Sequence, residues 1–240
     1  MLKKIKKSNL LIIIPAFNES GNIEKTIRMI KGQTSDFDYV IINDCSTDNT
    51  LEVCRKNGFN VINLPINLGI GGAVQTGYLY AKEFGYDYAV QVDGDGQHNP
   101  EYIRQMLEII QKDQVDMVVG SRFIKNEGFQ SSFTRRIGIV FFEKLIKLLT
   151  GMRITDPTSG LRLINKSVID LFASNYPNDY PEPETIVTLL ESGFKVEEFP
   201  VLMNEREHGE SSITLFKAVY YMIKVSLAIV ISKMSGGYKK

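Results

Sequence analysis

The chain has 240 residues, 43% of them hydrophobic, and its 28 Lys and Arg balance its 28 Asp and Glu. This length fits one large domain or two small ones, and the apolar content is enough for a globular core, which excludes a disordered chain. Because the formal net charge is zero, no overall field would attract nucleic acid, and we expect no nucleic-acid partner.

The N-terminal segment carries lysines at positions 3, 4, 6 and 7 before an apolar run over residues 10–14. This run is too short for the core of a signal peptide, so it predicts a first strand in a cytoplasmic protein. Cys45 and Cys54 have no metal-ligand partners at a zinc spacing. We therefore expect both to be buried thiols in a reducing compartment.

The first half of the chain alternates short apolar runs with amphipathic stretches of helix length. The apolar runs are rich in Ile and Val and predict strands over residues 10–14, 39–42, 60–64, 88–92 and 117–119. The stretches between them predict helices over residues 22–31, 48–56, 72–84 and 100–112. This alternation predicts a mostly parallel sheet covered on both faces, with ligand chemistry at the carboxyl ends of its strands.

The second half of the chain has a different pattern. Residues 133–149 alternate apolar and basic side chains at helical spacing, and residues 155–160 form a polar loop. Pro181 opens a further helix, and residues 195–203 resemble a strand. Since no repeat, low-complexity segment or flexible linker is visible, we predict one domain over residues 1–212 and an amphipathic, basic C-terminal helix over residues 213–240.

Two carboxylates follow the fourth predicted strand. Asp93 and Asp95 alternate with Gly94 and Gly96, and glycine allows the backbone to bend around a cation. Mg²⁺ and Mn²⁺ prefer oxygen ligands and are usually shared between one or two carboxylates and substrate phosphates. The alternative is an ordinary acidic turn. The pattern favours a metal site for a diphosphate.

Polar residues follow the neighbouring strands as well. Asp44 would either accept a hydrogen bond from a nucleobase N–H or belong to the turn that caps the next helix. The glycines at 69, 71 and 72 lack the Lys-Ser/Thr of a phosphate-binding P-loop. We expect them to allow close approach of the backbone to a ligand.

Six ordered motifs together resemble the family-2 glycosyltransferases of GT-A fold, and most closely the dolichyl- and polyprenyl-phosphate hexosyltransferase branch. The motifs lie at residues 15–19, 43–48, 67–69, 92–97, 120–122 and 156–162, and the resemblance covers residues 9–212. It implies an α/β, Rossmann-like GT-A domain with a mostly parallel central sheet flanked by helices. It also implies a hexosyltransferase that uses a nucleotide-sugar donor and Mg²⁺ or Mn²⁺.

The same resemblance implies the roles of individual residues. Asp93, Asp95 and Gln97 would hold the metal on the donor diphosphate. Arg122 would act near the phosphates or the acceptor, Asp95 would act in catalysis through the metal, and Glu184 would be the base for a hydroxyl acceptor. For Glu182 and Glu184 the alternative is stabilisation of the helix dipole. The nucleotide-sugar pocket would further include Pro15, Ala16, Asn18, Glu19, Asp44, Asn67, Gly72 and Gly94, and the acceptor phosphate would contact Arg135, Arg136, Arg206 and Ser211.

Three positions depart from the family pattern. Asn43 stands where the family often has an Asp, which weakens the expected base or ribose contact there. Cys45 replaces a common Gly, which predicts a turn without positive φ. Ser212 stands where the family often has Lys, so one basic phosphate contact is missing.

The acceptor class depends on the apolar segment over residues 213–231. Lys217 and Lys224 interrupt it, so it lacks the ~20 apolar residues that span a bilayer. Its pattern predicts a helix that lies on the membrane surface with its lysines toward anionic head groups. We expect peripheral attachment to the inner face of the cell membrane. The alternative is packing on the domain or in a homo-oligomer interface.

The predicted reaction moves a hexose from a nucleotide sugar, UDP favoured over GDP, to a polyprenyl phosphate in cell-surface glycan synthesis. One alternative is transfer to a saccharide hydroxyl of a glycan or of a lipid-linked intermediate such as a glycolipid. Another is a non-catalytic subunit that binds nucleotide sugars.

Overall fold

A mostly parallel sheet forms the centre of the protein. The computed structural model describes residues 8–125, 127–128, 133–179, 181–204 and 222–229. Within them the strand order is β3-β2-β1-β4-β6-β5-β7. Only β6 runs antiparallel to its neighbours, β4 and β5. The bounds are β1 Leu10–Ala16, β2 Asp38–Asn43, β3 Val61–Asn63, β4 Tyr88–Gln91, β5 Met117–Ser121, β6 Arg162–Asn165 and β7 Val196–Pro200.

Helices connect these strands and cover the sheet. Their bounds are α1 Ile23–Gln33, α2 Thr50–Lys56, α3 Gly69–Glu83, α4 Tyr102–Lys112, α5 Phe133–Thr150, α6 Lys166–Ser174 and α7 Pro181–Glu191. Residues 222–229 are also helical. The predicted strands and helices agree with these bounds to within a few residues, except that the last strand is shorter than predicted.

Strand β6 and helix α6 were not predicted from the sequence. The strand has only four residues and begins with a charged one, Arg162, so its pattern does not read as an apolar strand. It passes directly into α6, because the side chain of Asn165 caps that helix by accepting a hydrogen bond from the backbone N–H of Val168 at 3.1 Å.

The sheet separates two hydrophobic clusters. Along β1, Leu11 and Ile13 point into one cluster, and Ile12 and Ile14 point into the other. All four side chains are fully buried. Burial of both faces explains why β1 reads as a continuous apolar run rather than as an alternating one.

Only residues 222–229 of the predicted C-terminal helix belong to the described part of the chain. Val225 and Ile229 are buried in the same cluster as α3 and α6, whereas Ile223 and Leu227 are exposed. Arg206 and Ser211 lie outside the described residues. Among the helices that are described, none is long and apolar enough to cross a membrane.

The expectations for Cys45 were wrong. Its φ is 56°, in the left-handed region, and its thiol is partly exposed. The left-handed backbone turns the chain so that the Ser46 hydroxyl donates to Asn43 Oδ1 at 2.6 Å and accepts from the Asn18 backbone N–H at 2.9 Å. Cys54 is buried as predicted, and this burial raises the pKa of its thiol to about 11.

Candidate active site

A cleft of about 460 Å³ opens at the carboxyl ends of β1, β2 and β4. This is the edge of a parallel sheet at which α/β proteins bind their ligands. Many predicted site residues line it, and some residues that were not predicted do so too. The lining consists of Pro15, Ala16, Phe17, Glu19, Asp44, Asn67, Gly69, Ile70, Ala73, Gln91, Asp93, Gly94, Asp95 and Glu182.

The turn that carries Asp93 and Asp95 is fixed by its own residues. The backbone N–H of Asp93 donates to His98 Nδ1 at 3.1 Å, and that of Gln97 donates to Asp95 Oδ1 at 3.1 Å. His98 is buried, and Gly96 takes a positive φ of 77°. Sequence reasoning missed the burial of His98, because a histidine in a glycine-rich turn gives no signal of burial.

The oxygen ligands of this turn fit a divalent cation shared with a substrate. Asp93 and Asp95 both line the cleft. The side chain of Gln97 donates through Nε2 to the carbonyl of Asn204 at 3.3 Å, so its Oε1 is the atom suited to a cation. No three His, Cys, Asp or Glu side chains cluster around a metal position in the described ranges. Where a protein holds Mg²⁺ through one or two carboxylates, substrate phosphates and water usually complete the ligand shell.

Asp44 lies in the same cleft, at the end of β2. It is buried, and its Oδ1 accepts a hydrogen bond from the backbone N–H of Leu68 at 2.7 Å. Its carbonyl accepts from Asn67 Nδ2 at 3.0 Å, and its backbone N–H donates to the carbonyl of Ala16 at 2.9 Å. The bond from Leu68 holds Oδ1 of the carboxylate, and the other two bonds hold the backbone of Asp44.

Asn18 joins two loops rather than lining the cleft. It has a left-handed φ of 57°, which asparagine tolerates better than most residues. Its Oδ1 accepts hydrogen bonds from the backbone N–H groups of Thr47 and Asp48, at 2.8 and 3.3 Å. This contact holds the loop after β1 against the loop after β2.

The glycines at the start of α3 mainly serve protein packing. A Cβ at Gly71 would collide with the carbonyl of Pro177, and a Cβ at Gly72 would collide with the side chain of Leu68. Gly72 does not line the cleft, whereas Gly69 does. The space next to Gly72 is occupied by the Leu68 side chain, and a close approach of ligand at Gly72 stays a prediction.

The two glutamates at the start of α7 point to different places. Glu182 lines the cleft, where burial raises the pKa of its carboxyl group. The positive charge of Arg162 opposes this rise, and the negative charge of Asp93 adds to it. Glu184 lines a separate cavity of about 70 Å³, next to Phe172 and Pro177. Residues two apart on a helix face different directions, so the structure brings Glu182, not Glu184, to the cleft.

The family model described as Glycosyl transferase family 2 matches residues 11–172, about two thirds of the chain. The protein belongs to this family. It is therefore a glycosyltransferase, as the resemblance predicted.

The chain is 28% identical to the UDP-N-acetylglucosamine–dolichyl-phosphate N-acetylglucosaminyltransferase of Methanococcus voltae, over 92% of this chain and 98% of that protein. It is also 28% identical to the undecaprenyl-phosphate mannosyltransferase of Micrococcus luteus, over 85% of this chain and 87% of that protein. These relatives agree with the predicted lipid-phosphate branch of the family.

The solved structure of glucosyl-3-phosphoglycerate synthase from Mycobacterium tuberculosis with Mn²⁺ and UDP-glucose is similar to this protein. The TM-score is 0.69 at 18% identity, and the match covers 96% of this chain and 80% of that one. A likeness at this identity shows the fold, and it confirms the predicted GT-A architecture.

In this glycosyltransferase, Arg122 is bound to protein and does not line the cleft. It is buried, and its Nε and Nη2 donate to the two carboxylate oxygens of Asp156 at 2.6 and 2.7 Å. Glu198 accepts hydrogen bonds from the backbone N–H groups of Thr155 and Asp156, at 2.7 and 2.9 Å. Arg122 thus holds the loop between α5 and β6 in place.

That loop packs against the carboxylate of Asp93. A Cβ added at Gly160 would lie 2.7 Å from Asp93 Oδ2. From another side, Gln91 Nε2 donates to Asp93 Oδ1 at 3.0 Å. Gly160 and Gln91 therefore fix the orientation of a predicted metal ligand. Neither residue was predicted from the sequence. Gly160 is far from Asp93 along the chain, so the sequence gives no signal of their contact.

Among the arginines predicted to bind the acceptor phosphate, Arg136 has a defined environment. Its guanidinium lies over the ring of Phe123, 3.7 Å from the ring centroid. Its Nη1 is buried and has no hydrogen-bond partner among the described residues. Arg135 is exposed. Neither arginine lines the cleft.

We predict that Gly160→Ala weakens the binding of Mn²⁺ in the presence of UDP at least ~10-fold, because the new methyl group displaces the Asp93 carboxylate. Electron paramagnetic resonance of Mn²⁺ measures the free ion. Gly32→Ala is the matched control, since a Cβ at Gly32 meets nothing within 4 Å. Equal Mn²⁺ affinity in both variants would show that the loop does not orient Asp93.

We predict that Arg122→Ala lowers the free energy of unfolding by about 3–5 kcal/mol, because it leaves the buried carboxylate of Asp156 without its charged partner. Urea denaturation measures this loss. Arg104→Ala is the control, because Arg104 forms an exposed ion pair with Asp36, and exposed pairs contribute little. If Arg122→Ala were as stable as the wild type and yet inactive, Arg122 would act on the substrate instead.

Proposed function

We propose that this glycosyltransferase moves a hexose from a nucleoside diphosphate sugar, UDP favoured over GDP, to a polyprenyl phosphate in cell-surface glycan synthesis. The observation that carries the donor assignment is that Asp44 and the pair Asp93 and Asp95 line one cleft. They follow β2 and β4, which lie two strand spacings apart in the sheet, or roughly 10 Å. This separation suits a nucleobase at Asp44 and a diphosphate at Asp93.

The reaction replaces one bond at the anomeric carbon. A phosphate oxygen of the acceptor attacks that carbon, and the bond from the carbon to the donor diphosphate breaks. The leaving diphosphate takes the bonding electrons and gains negative charge. Asp93, Asp95 and Gln97 would hold Mg²⁺ or Mn²⁺, which supplies charge stabilisation to such a leaving group when it is bound. Because a phosphate oxygen is already a nucleophile at neutral pH, this reaction requires no general base.

Two observations support a lipid phosphate as acceptor. The names of the relatives from Methanococcus voltae and Micrococcus luteus include dolichyl phosphate and undecaprenyl phosphate. Arg136 offers a buried Nη1 without a protein partner among the described residues, and arginine is suited to phosphate oxygens. We propose that Arg135, Arg136, Arg206 and Ser211 contact the acceptor phosphate, and that the enzyme binds peripherally to the inner face of the cell membrane.

A second candidate function is transfer to a saccharide hydroxyl, and the position of Glu182 favours it. This reaction needs a base that accepts the hydroxyl proton. Glu182 lines the cleft beside Asp93, and burial raises the pKa of its carboxyl group. A raised pKa makes a carboxylate a stronger proton acceptor. On this second reading Glu182 is the base.

Radiolabelled UDP- and GDP-hexoses, each supplied with Mn²⁺ and undecaprenyl phosphate, test the proposal. We expect a labelled lipid that releases the sugar in mild acid, with Asp95→Asn reduced at least ~100-fold because charge on the leaving group is no longer stabilised. Label found only on a saccharide acceptor would favour the second function. Undiminished transfer in excess EDTA would contradict a role for the metal.

The variants Glu182→Gln and Glu184→Gln distinguish the two acceptor classes. With a lipid phosphate acceptor, we expect both to keep kcat within a few-fold of wild type, because no base is needed. With a hydroxyl acceptor, Glu182→Gln should lower kcat by ~10²–10⁴-fold, and Glu184→Gln should not. A loss of kcat in Glu184→Gln alone would restore Glu184 as the catalytic candidate.

A further inference from the structure

The outward face of α5 is apolar where a soluble helix is usually polar. Ile137, Phe141 and Leu148 are 53%, 41% and 81% exposed. Their spacing of four and seven residues places them along one line of the helix. The opposite side, with Ile139, Phe142 and Ile146, is buried. Helix α5 therefore has one apolar face in the core and a second apolar face on the surface, which we call the α5 outer face.

The charges on this face are positive. Lys144 lies in the same line as Ile137 and Leu148, and Lys147 flanks it; both lysines are exposed. Glu143 is the only acid in α5, and its side chain pairs with Arg153 at 2.8 Å. A helix that lies in a membrane interface typically combines exposed apolar residues, such as leucine, isoleucine and phenylalanine, with lysines.

We propose that the α5 outer face is a docking surface for a lipid bilayer with anionic head groups. This inference rests on the proposed lipid phosphate acceptor, and it assigns the contact to described residues of the catalytic domain rather than to the C-terminal segment. The helix spans 18 residues, or roughly 27 Å, so several apolar side chains enter the interface together. The aliphatic parts of the Lys144 and Lys147 side chains are long enough to keep their ammonium groups among the phosphates of the lipid head groups.

The lysines favour a bilayer over a second copy of the chain. A symmetric dimer brings the same patch of both subunits together, so Lys144 of each copy would approach the other across an apolar contact. That arrangement buries like charges without a counter-charge. Anionic head groups supply the counter-charge, and each lysine near such a surface adds to binding.

The position of α5 also brings a bound membrane near the cleft. The chain enters α5 after β5, whose carboxyl end lies at the same edge of the sheet as that of β4, because both strands are antiparallel to β6. Arg136, at the start of α5, lies against Phe123 just beyond β5. Docking through this face would hold the phosphate of a membrane-embedded acceptor close to that arginine.

Flotation of the full chain with vesicles tests the proposal. We expect the wild type to float with mixed phosphatidylcholine and phosphatidylglycerol vesicles. Lys144→Glu/Lys147→Glu should bind them roughly 30-fold more weakly, and Leu148→Ser should bind them more weakly as well. The matched controls are Lys56→Glu/Lys112→Glu, exposed lysines on α2 and α4, and Leu79→Ser, a half-exposed leucine on α3. The controls should float like the wild type.

Activity measurements separate this proposal from the proposed function. The α5 variants should retain transfer to a short, water-soluble polyprenyl phosphate and lose transfer to the long-chain acceptor in vesicles. Normal flotation of the lysine variant would overturn the docking surface even if Leu148→Ser failed to fold. The proposal would also be overturned if the wild type were a dimer, if the lysine or leucine variants were monomers, and if flotation were unchanged. That result would assign the α5 outer face to contact with a second copy of the chain. If the wild type floats through α5 but uses neither lipid acceptor, the proposed acceptor fails and the docking surface stands.

Discussion

One buried cation holds together the deep side of the cleft. Arg162 is 1% exposed. It donates hydrogen bonds to the carbonyls of Pro157, Ser159 and Glu182 and to the hydroxyl of Thr185, at 2.7–2.9 Å. A buried charge is tolerated only when its donors are satisfied, and these acceptors come from both the loop before β6 and the start of α7. The guanidinium therefore fixes the positions of Gly160, against Asp93, and of Glu182.

The antiparallel direction of β6 places Arg162 where it can act in this way. In the register with β4, Arg162 lies opposite Gln91, the last residue of that strand and two residues before Asp93. A parallel strand would have put the loop over residues 155–161 at the other edge of the sheet. The reversal instead brings Asp156, Gly160 and Arg162 to the edge at which the loops after β1, β2 and β4 line the cleft.

The sequence predicted the half of the site that is built from strand ends. Asp44, Asp93 and Asp95 each lie within three residues of the end of an apolar run, and parallel strands bring such positions together, so their meeting in one cleft could be expected. The antiparallel strand could not, because four residues beginning with Arg162 carry no clear strand pattern. The backbone conformation of Cys45 was predicted wrongly. Its left-handed φ is stabilised by the hydrogen bonds that Ser46 forms with Asn43 and Asn18, and the identity of residue 45 gives no signal of these contacts.

The other half of the site depends on the direction in which each helix turns its side chains. Glu182 and Glu184 have the same charge and similar neighbours in the sequence, and only the packing of α7 brings the first to the cleft. The same holds for α5, whose two apolar faces look alike in the sequence although only one of them joins the core. The proposed donor side thus consists of short carboxylates close to the backbone. The proposed acceptor side consists of long side chains on helices, so on this proposal the acceptor could change without any change to the donor site.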